Sequence, residues 1–67
     1  MSAVDQLLIF LVEDSRNVSA CMAAAGYTED ETRGAWNYAR RAGYTQATGL
    51  GQDRLTEKGR ARASGLV

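Results

Sequence analysis

Sixty-seven residues make one small domain, and the lack of proline and histidine beside a single cysteine excludes a disulfide framework and a Cys/His zinc site within the chain. An apolar fraction of 45% fits a compact domain rather than a disordered tail, and the longest apolar run, Leu7 to Val12, is far shorter than the roughly 20 residues that span a bilayer. The net charge of zero hides a division, because residues 1–31 hold six acids against Arg16 alone whereas residues 32–67 hold seven bases against Asp53 and Glu57.

That division points the basic half toward an anionic partner, or toward the acidic half of the same chain. The apolar run follows Asp5 rather than a basic segment, so no secretory signal and no membrane partner are expected. A cytoplasmic location is the default, and a free Cys21 agrees with a reducing compartment.

In chain order, Ser2 with Asp5 three residues on predicts a capped first helix over 3–14. Val4, Leu7, Leu8 and Leu11 fall at helical spacing and form its core face. Ile9, Phe10 and Val12 widen that face, so this helix is either covered on several sides or offers a surface to a partner, including a second copy through Ile9 and Phe10. Asp14-Ser15-Arg16-Asn17 reads as a polar turn. Ser19 then caps a short second helix, 20–25, with Met22, Ala23 and Ala25 toward the core and Gly26 as its stop.

Thr28-Glu29-Asp30-Glu31 is the strongest start signal, with Thr as the cap, Glu at the third helical position and acids in the first turn. The third helix runs over 28–42 and Gly43 closes it. At 100° per residue, Thr32, Ala35, Trp36 and Ala39 share one face, with Trp36 as core anchor. Asn37, Arg41 and Gly34 gather opposite, flanked by Arg33, Arg40 and Tyr38. Gly34 costs about 1 kcal/mol relative to Ala inside a helix, which suggests close approach of a partner there. Residues 44–56 form a hairpin around the turn Thr48-Gly49-Leu50-Gly51-Gln52-Asp53, and Thr56 caps a last short helix, 57–63, bearing Lys58, Arg60 and Arg62. The expected fold is therefore mainly α with a small β-hairpin, as three helices, the hairpin and a short C-terminal helix.

Catalysis is not expected. The chain has no histidine, no nucleophile paired with a base, no phosphate-cradling Gly-Lys-Ser/Thr loop and no Cys/His metal set, so no cofactor or metal is assigned. Cys21 reads as a small apolar residue among alanines.

The order of Val18-Ser19, Gly26-Tyr27-Thr28, Trp36, Gly43-Tyr44 and Leu55-Thr56-Glu57-Lys58-Gly59-Arg60 resembles a prokaryotic winged helix-turn-helix domain, of the kind found in MarR- and PadR-type regulators. The resemblance covers about 45 residues and rests on order and spacing rather than on any single motif. It implies that helix 28–42 enters the DNA major groove and that residues 44–56 are the wing. Carried onto this chain, it makes Arg33, Asn37, Arg40, Arg41 and Gln46 candidates for base or backbone contact. Arg54, Lys58, Arg60 and Arg62 become candidates for phosphate contact. The implied function is sequence-specific binding of double-stranded DNA by a transcriptional regulator of bacterial, phage or plasmid type, acting as a dimer. The alternative is a protein-interaction module on the same fold, an adaptor or mobile-element inhibitor that docks on a larger protein without binding DNA.

Overall fold

The computed structural model describes residues 1–13 and 16–66. It is mainly helical, with one small antiparallel hairpin: α1 (Ala3–Val12), α2 (Val18–Ala24), α3 (Glu29–Arg41), β1 (Thr45–Gln46), β2 (Arg54–Leu55) and α4 (Glu57–Ser64). The strands pair with Thr45 opposite Leu55 and Gln46 opposite Arg54.

Helix α1 is the central element and packs against α2, α3, α4 and β2. Its width of apolar surface is thereby explained: Leu7 and Leu8 are fully buried, and Val4, Phe10 and Leu11 pack partly against the same core. Phe10, expected at a dimer seam, is thus partly committed to the fold, whereas Val12 remains 42% exposed at the end of the helix. Ser2 caps α1 through its Oγ, which accepts from the Asp5 amide. The helix ends at Val12, and Asp14 and Ser15, the expected last helical residue and the start of the polar turn, lie outside the described residues.

The second helix starts two residues earlier than expected. Asn17, not Ser19, is its cap, its Oδ1 accepting from the Ala20 amide at 3.1 Å. Val18 and Met22, one turn apart, form its buried face, whereas Ala23 and the C-cap Ala25 are exposed, contrary to their expected core positions. Both α2 and α3 close with the paired hydrogen bonds of a Schellman end, Tyr27 N–H to the Met22 carbonyl and Tyr44 N–H to the Ala39 carbonyl. Gly43 at φ 84° supplies the left-handed residue that lets the chain turn straight from α3 into the hairpin.

Helix α3 carries the full capping box, Thr28 Oγ1 accepting from Glu31 N–H and Glu31 Oε1 accepting from Thr28 N–H. It turns Thr32, Ala35 and Ala39 into the core. Trp36 is not the core anchor. The small alanines let α1 approach α3 closely, and the indole, at the edge of the buried stripe, packs against the core only in part. Leu7, Leu8, Val18 and Met22 fill the centre instead.

The run Leu55-Thr56-Glu57-Lys58-Gly59-Arg60 is the joint that holds hairpin and last helix to α3. Thr56 Oγ1 accepts from the Gly59 amide and donates to the Gly43 carbonyl at 2.6 Å. Lys58 Nζ donates to the Ala42 carbonyl at 2.8 Å and sits over the Tyr44 ring. The open carbonyl end of α3 is thus satisfied by two side chains of the following helix. Helix α4 runs one residue past its expected end, to Ser64, and buries Ala63.

Candidate nucleic-acid interface

Three polar contacts position the hairpin relative to the two helices before it. Arg40, from the side of α3, grips Asp53 at the base of β2 with Nε to Oδ2 at 3.0 Å and Nη2 to Oδ1 at 2.8 Å. The Asp53 side chain is only 5% exposed and the Arg40 side chain 59%, so a buried carboxylate orients a guanidinium whose outer edge faces water. Thr45 Oγ1 donates to the same carboxylate from β1. Finally, Gln52 Oε1 accepts from the Val18 amide at 3.0 Å, which satisfies one free N–H at the start of α2. Side chains of α3 and the hairpin, with the first backbone amide of α2, latch the three elements together.

Two surface grooves result. Arg16, Asn17, Ser19, Trp36, Arg40 and Gln52 line the first, between the α2 start, α3 and the hairpin. The second runs along the hairpin itself, lined by Arg16, Gln46, Thr48, Leu50, Gln52 and Arg54. Arg16 and Gln52 line both, and Ser19 and Trp36 of the first also line a third groove with Glu29 and Arg33. The only carboxylate among the described residues lining the first two grooves is Asp53, already engaged by Arg40. Sequence reasoning missed Arg16, Asn17 and Ser19. They stand in the acidic half of the chain and were read as turn and cap, and only the docking of the hairpin places them beside Arg40 and Arg54.

The sequence candidates divide. Arg40, Gln46 and Arg54 meet at this surface, and the cross-strand register puts Gln46 opposite Arg54. Asn37 and Arg41 are exposed on the outward face of α3, with Gly34 beside them. Arg33 is exposed but pairs with Asp30 one turn back, at 3.2 Å. Lys58 is spent on the end of α3. Arg62 pairs with Asp5 at 3.2 Å and so ties α4 to α1, in a groove with Tyr38 and Tyr44. Arg60 is exposed on α4, outside both basic grooves. The basic residues therefore do not form one ridge. Arg16, Arg40 and Arg54 line the grooves beside the hairpin, whereas Lys58 and Arg62 hold the fold together.

Among the described residues no group of three or more His, Cys, Asp or Glu side chains is placed to hold a metal ion, and every buried side-chain nitrogen or oxygen has a hydrogen-bond partner. No helix among the described residues is long and apolar enough to cross a membrane. Comparison with protein-family models, with curated proteins and with solved structures finds no match to this chain.

Proposed function

We propose that this chain is a winged helix-turn-helix protein that binds double-stranded DNA, with α3 in the major groove and the hairpin as its wing. The observation that carries the reading is the latch of Arg40 on Asp53 and of the Val18 amide on Gln52. It holds the hairpin beside α3, with Arg16, Gln46 and Arg54 lining one groove and Arg16 and Arg40 of α3 the other, while Asn37 and Arg41 stand exposed on α3. Preorganising two contact elements in this way lowers the ordering cost of binding. Arg41 and Asn37 are the side chains suited to base edges, guanine and adenine respectively. Arg16 and Arg54 suit phosphates, which set register without reading sequence. Regulation of transcription is the corresponding biological role.

Fluorescence anisotropy with end-labelled duplex DNA, titrated at low and moderate salt, tests this. Binding that weakens steeply with salt and falls with Arg41→Ala is expected. Absence of binding to any duplex at low salt rejects the reading.

The second reading, a protein-interaction module, is favoured by one observation. Glu29, Asp30 and Glu31 are all exposed at the start of α3, where their charge repels phosphate. A stoichiometric protein partner retained from lysate after nuclease treatment, without duplex binding by the purified chain, would select it.

A further inference from the structure

Leu50 is 92% exposed, the most exposed large hydrophobic side chain among the described residues. It stands at the tip of the hairpin, between Gly49 at φ 77° and Gly51 at φ 113°. Two left-handed residues in three make a narrow tip that side chains at those positions would oppose. The tip is also internally tied. Thr48 Oγ1 accepts from the Leu50 amide at 3.1 Å and donates toward the Gln52 carbonyl at 3.5 Å. The latter residue is in turn fastened to the start of α2. An isolated exposed leucine is ordinary on a protein surface. This one is held out on a glycine-flanked point, above a groove whose described lining includes Arg16, Gln46 and Arg54 and no carboxylate.

We propose that Leu50 is an apolar wedge that enters the minor groove of duplex DNA and partly unstacks a base step, while Arg16 and Arg54 hold the phosphates on either side. The inference rests on the DNA-binding reading and adds to it a deformation of the DNA. The minor groove is about 6 Å wide, too narrow for a two-stranded ribbon but not for a tip carrying one side chain. Aliphatic wedges flanked by basic side chains kink duplexes by roughly 20–90°. Charge complementarity selects the polyanion, because the described residues that line the groove with the leucine include two cations, Arg16 and Arg54, and no carboxylate. Unstacking is easiest at flexible pyrimidine–purine steps, so preference for such steps would come from deformability rather than from base contacts.

The experiment uses duplexes recovered from a randomised pool by the full chain, end-labelled with a donor and acceptor pair and carrying 2-aminopurine at successive positions. The expected result is a bend of at least ~20° together with a rise in 2-aminopurine emission at one step. Leu50→Ala should remove both while weakening binding no more than about tenfold, because phosphate contacts supply most of the affinity. A wild-type complex with straight, stacked DNA, or a Leu50→Ala complex as bent as the wild type, overturns the wedge and leaves the DNA-binding reading standing. Recovery of no duplex overturns both. Leu50-dependent sedimentation with phosphatidylserine vesicles, without duplex binding, overturns both in favour of a membrane surface.

Discussion

Gly59 of α4 lies directly against the backbone carbonyl of Tyr44, so closely that a Cβ at position 59 would overlap that oxygen and meet Leu55 Cδ2 at 3.0 Å. Helix α4 reaches the hairpin only because residue 59 has no side chain, and that contact gives the Leu-Thr-x-x-Gly-Arg run its shape. Thr56 starts the helix, Gly59 lets it dock, and Lys58 ties it back to α3.

Substitution at Gly59 should accordingly be severe. Gly59→Ala pushes backbone against backbone, which no rotamer change relieves, and is expected to lower stability by about 2–3 kcal/mol in urea unfolding. Gly34 is the control: nothing lies within 4 Å of a Cβ placed there. Gly34→Ala should raise the unfolding midpoint, with a gain of about 0.5–1 kcal/mol from helix propensity. If α3 approaches DNA through this face, the same stabilised variant should bind duplex several-fold more weakly. A destabilised Gly34→Ala, or an unaffected Gly59→Ala, would contradict the packing described.

The Arg40–Asp53 latch should respond asymmetrically. Arg40→Ala leaves a buried carboxylate with Thr45 as its only remaining side-chain partner among the described residues, and is expected to cost about 2–3 kcal/mol. Asp53→Ala leaves an arginine that water can solvate, and should cost about 1–1.5 kcal/mol. The double variant should lie close to Asp53→Ala alone, since the penalty of Arg40→Ala is that of an unpaired charge. Denaturant titrations of the three proteins measure this, and additive losses would show that the two side chains act independently.

Arg54 and Arg62 should separate DNA contact from structural pairing. Arg54→Ala is expected to weaken duplex binding and to reduce the slope of log affinity against log salt by about 1, the mark of one lost phosphate contact. Arg62→Ala breaks a partly exposed pair with Asp5 and should leave affinity and slope unchanged, at a stability loss below about 1 kcal/mol. A reduced slope for Arg62→Ala with none for Arg54→Ala would place the binding surface on α4 instead.

Local chemistry was legible in the chain wherever neighbouring residues decide the outcome. Caps at Ser2, Thr28 and Thr56, helix ends at Gly26 and Gly43, the hairpin and the buried stripe of α3 all depend on contacts a few residues apart. Sequence periodicity and capping preferences report those contacts directly. The start of α2 was misplaced because Asn17 and Ser19 are both good caps. The earlier start is the one that buries Val18 in the core, with its amide held by Gln52.

What only tertiary structure decided is which cations remain available. Arginines and lysines look alike along a chain, yet Arg62 is taken by Asp5, 57 residues away, Lys58 by a carbonyl at the end of α3, and Arg40 by a carboxylate across the hairpin. The same docking brings Arg16, from the acidic half, to the side of Arg54. Sequence by itself determined that this is a mainly helical domain with a hairpin and a polarised charge. Which basic side chains stay unpaired at the surface was set by long-range pairing, because ion-pair partners are chosen by distance in space, which one-dimensional spacing does not carry.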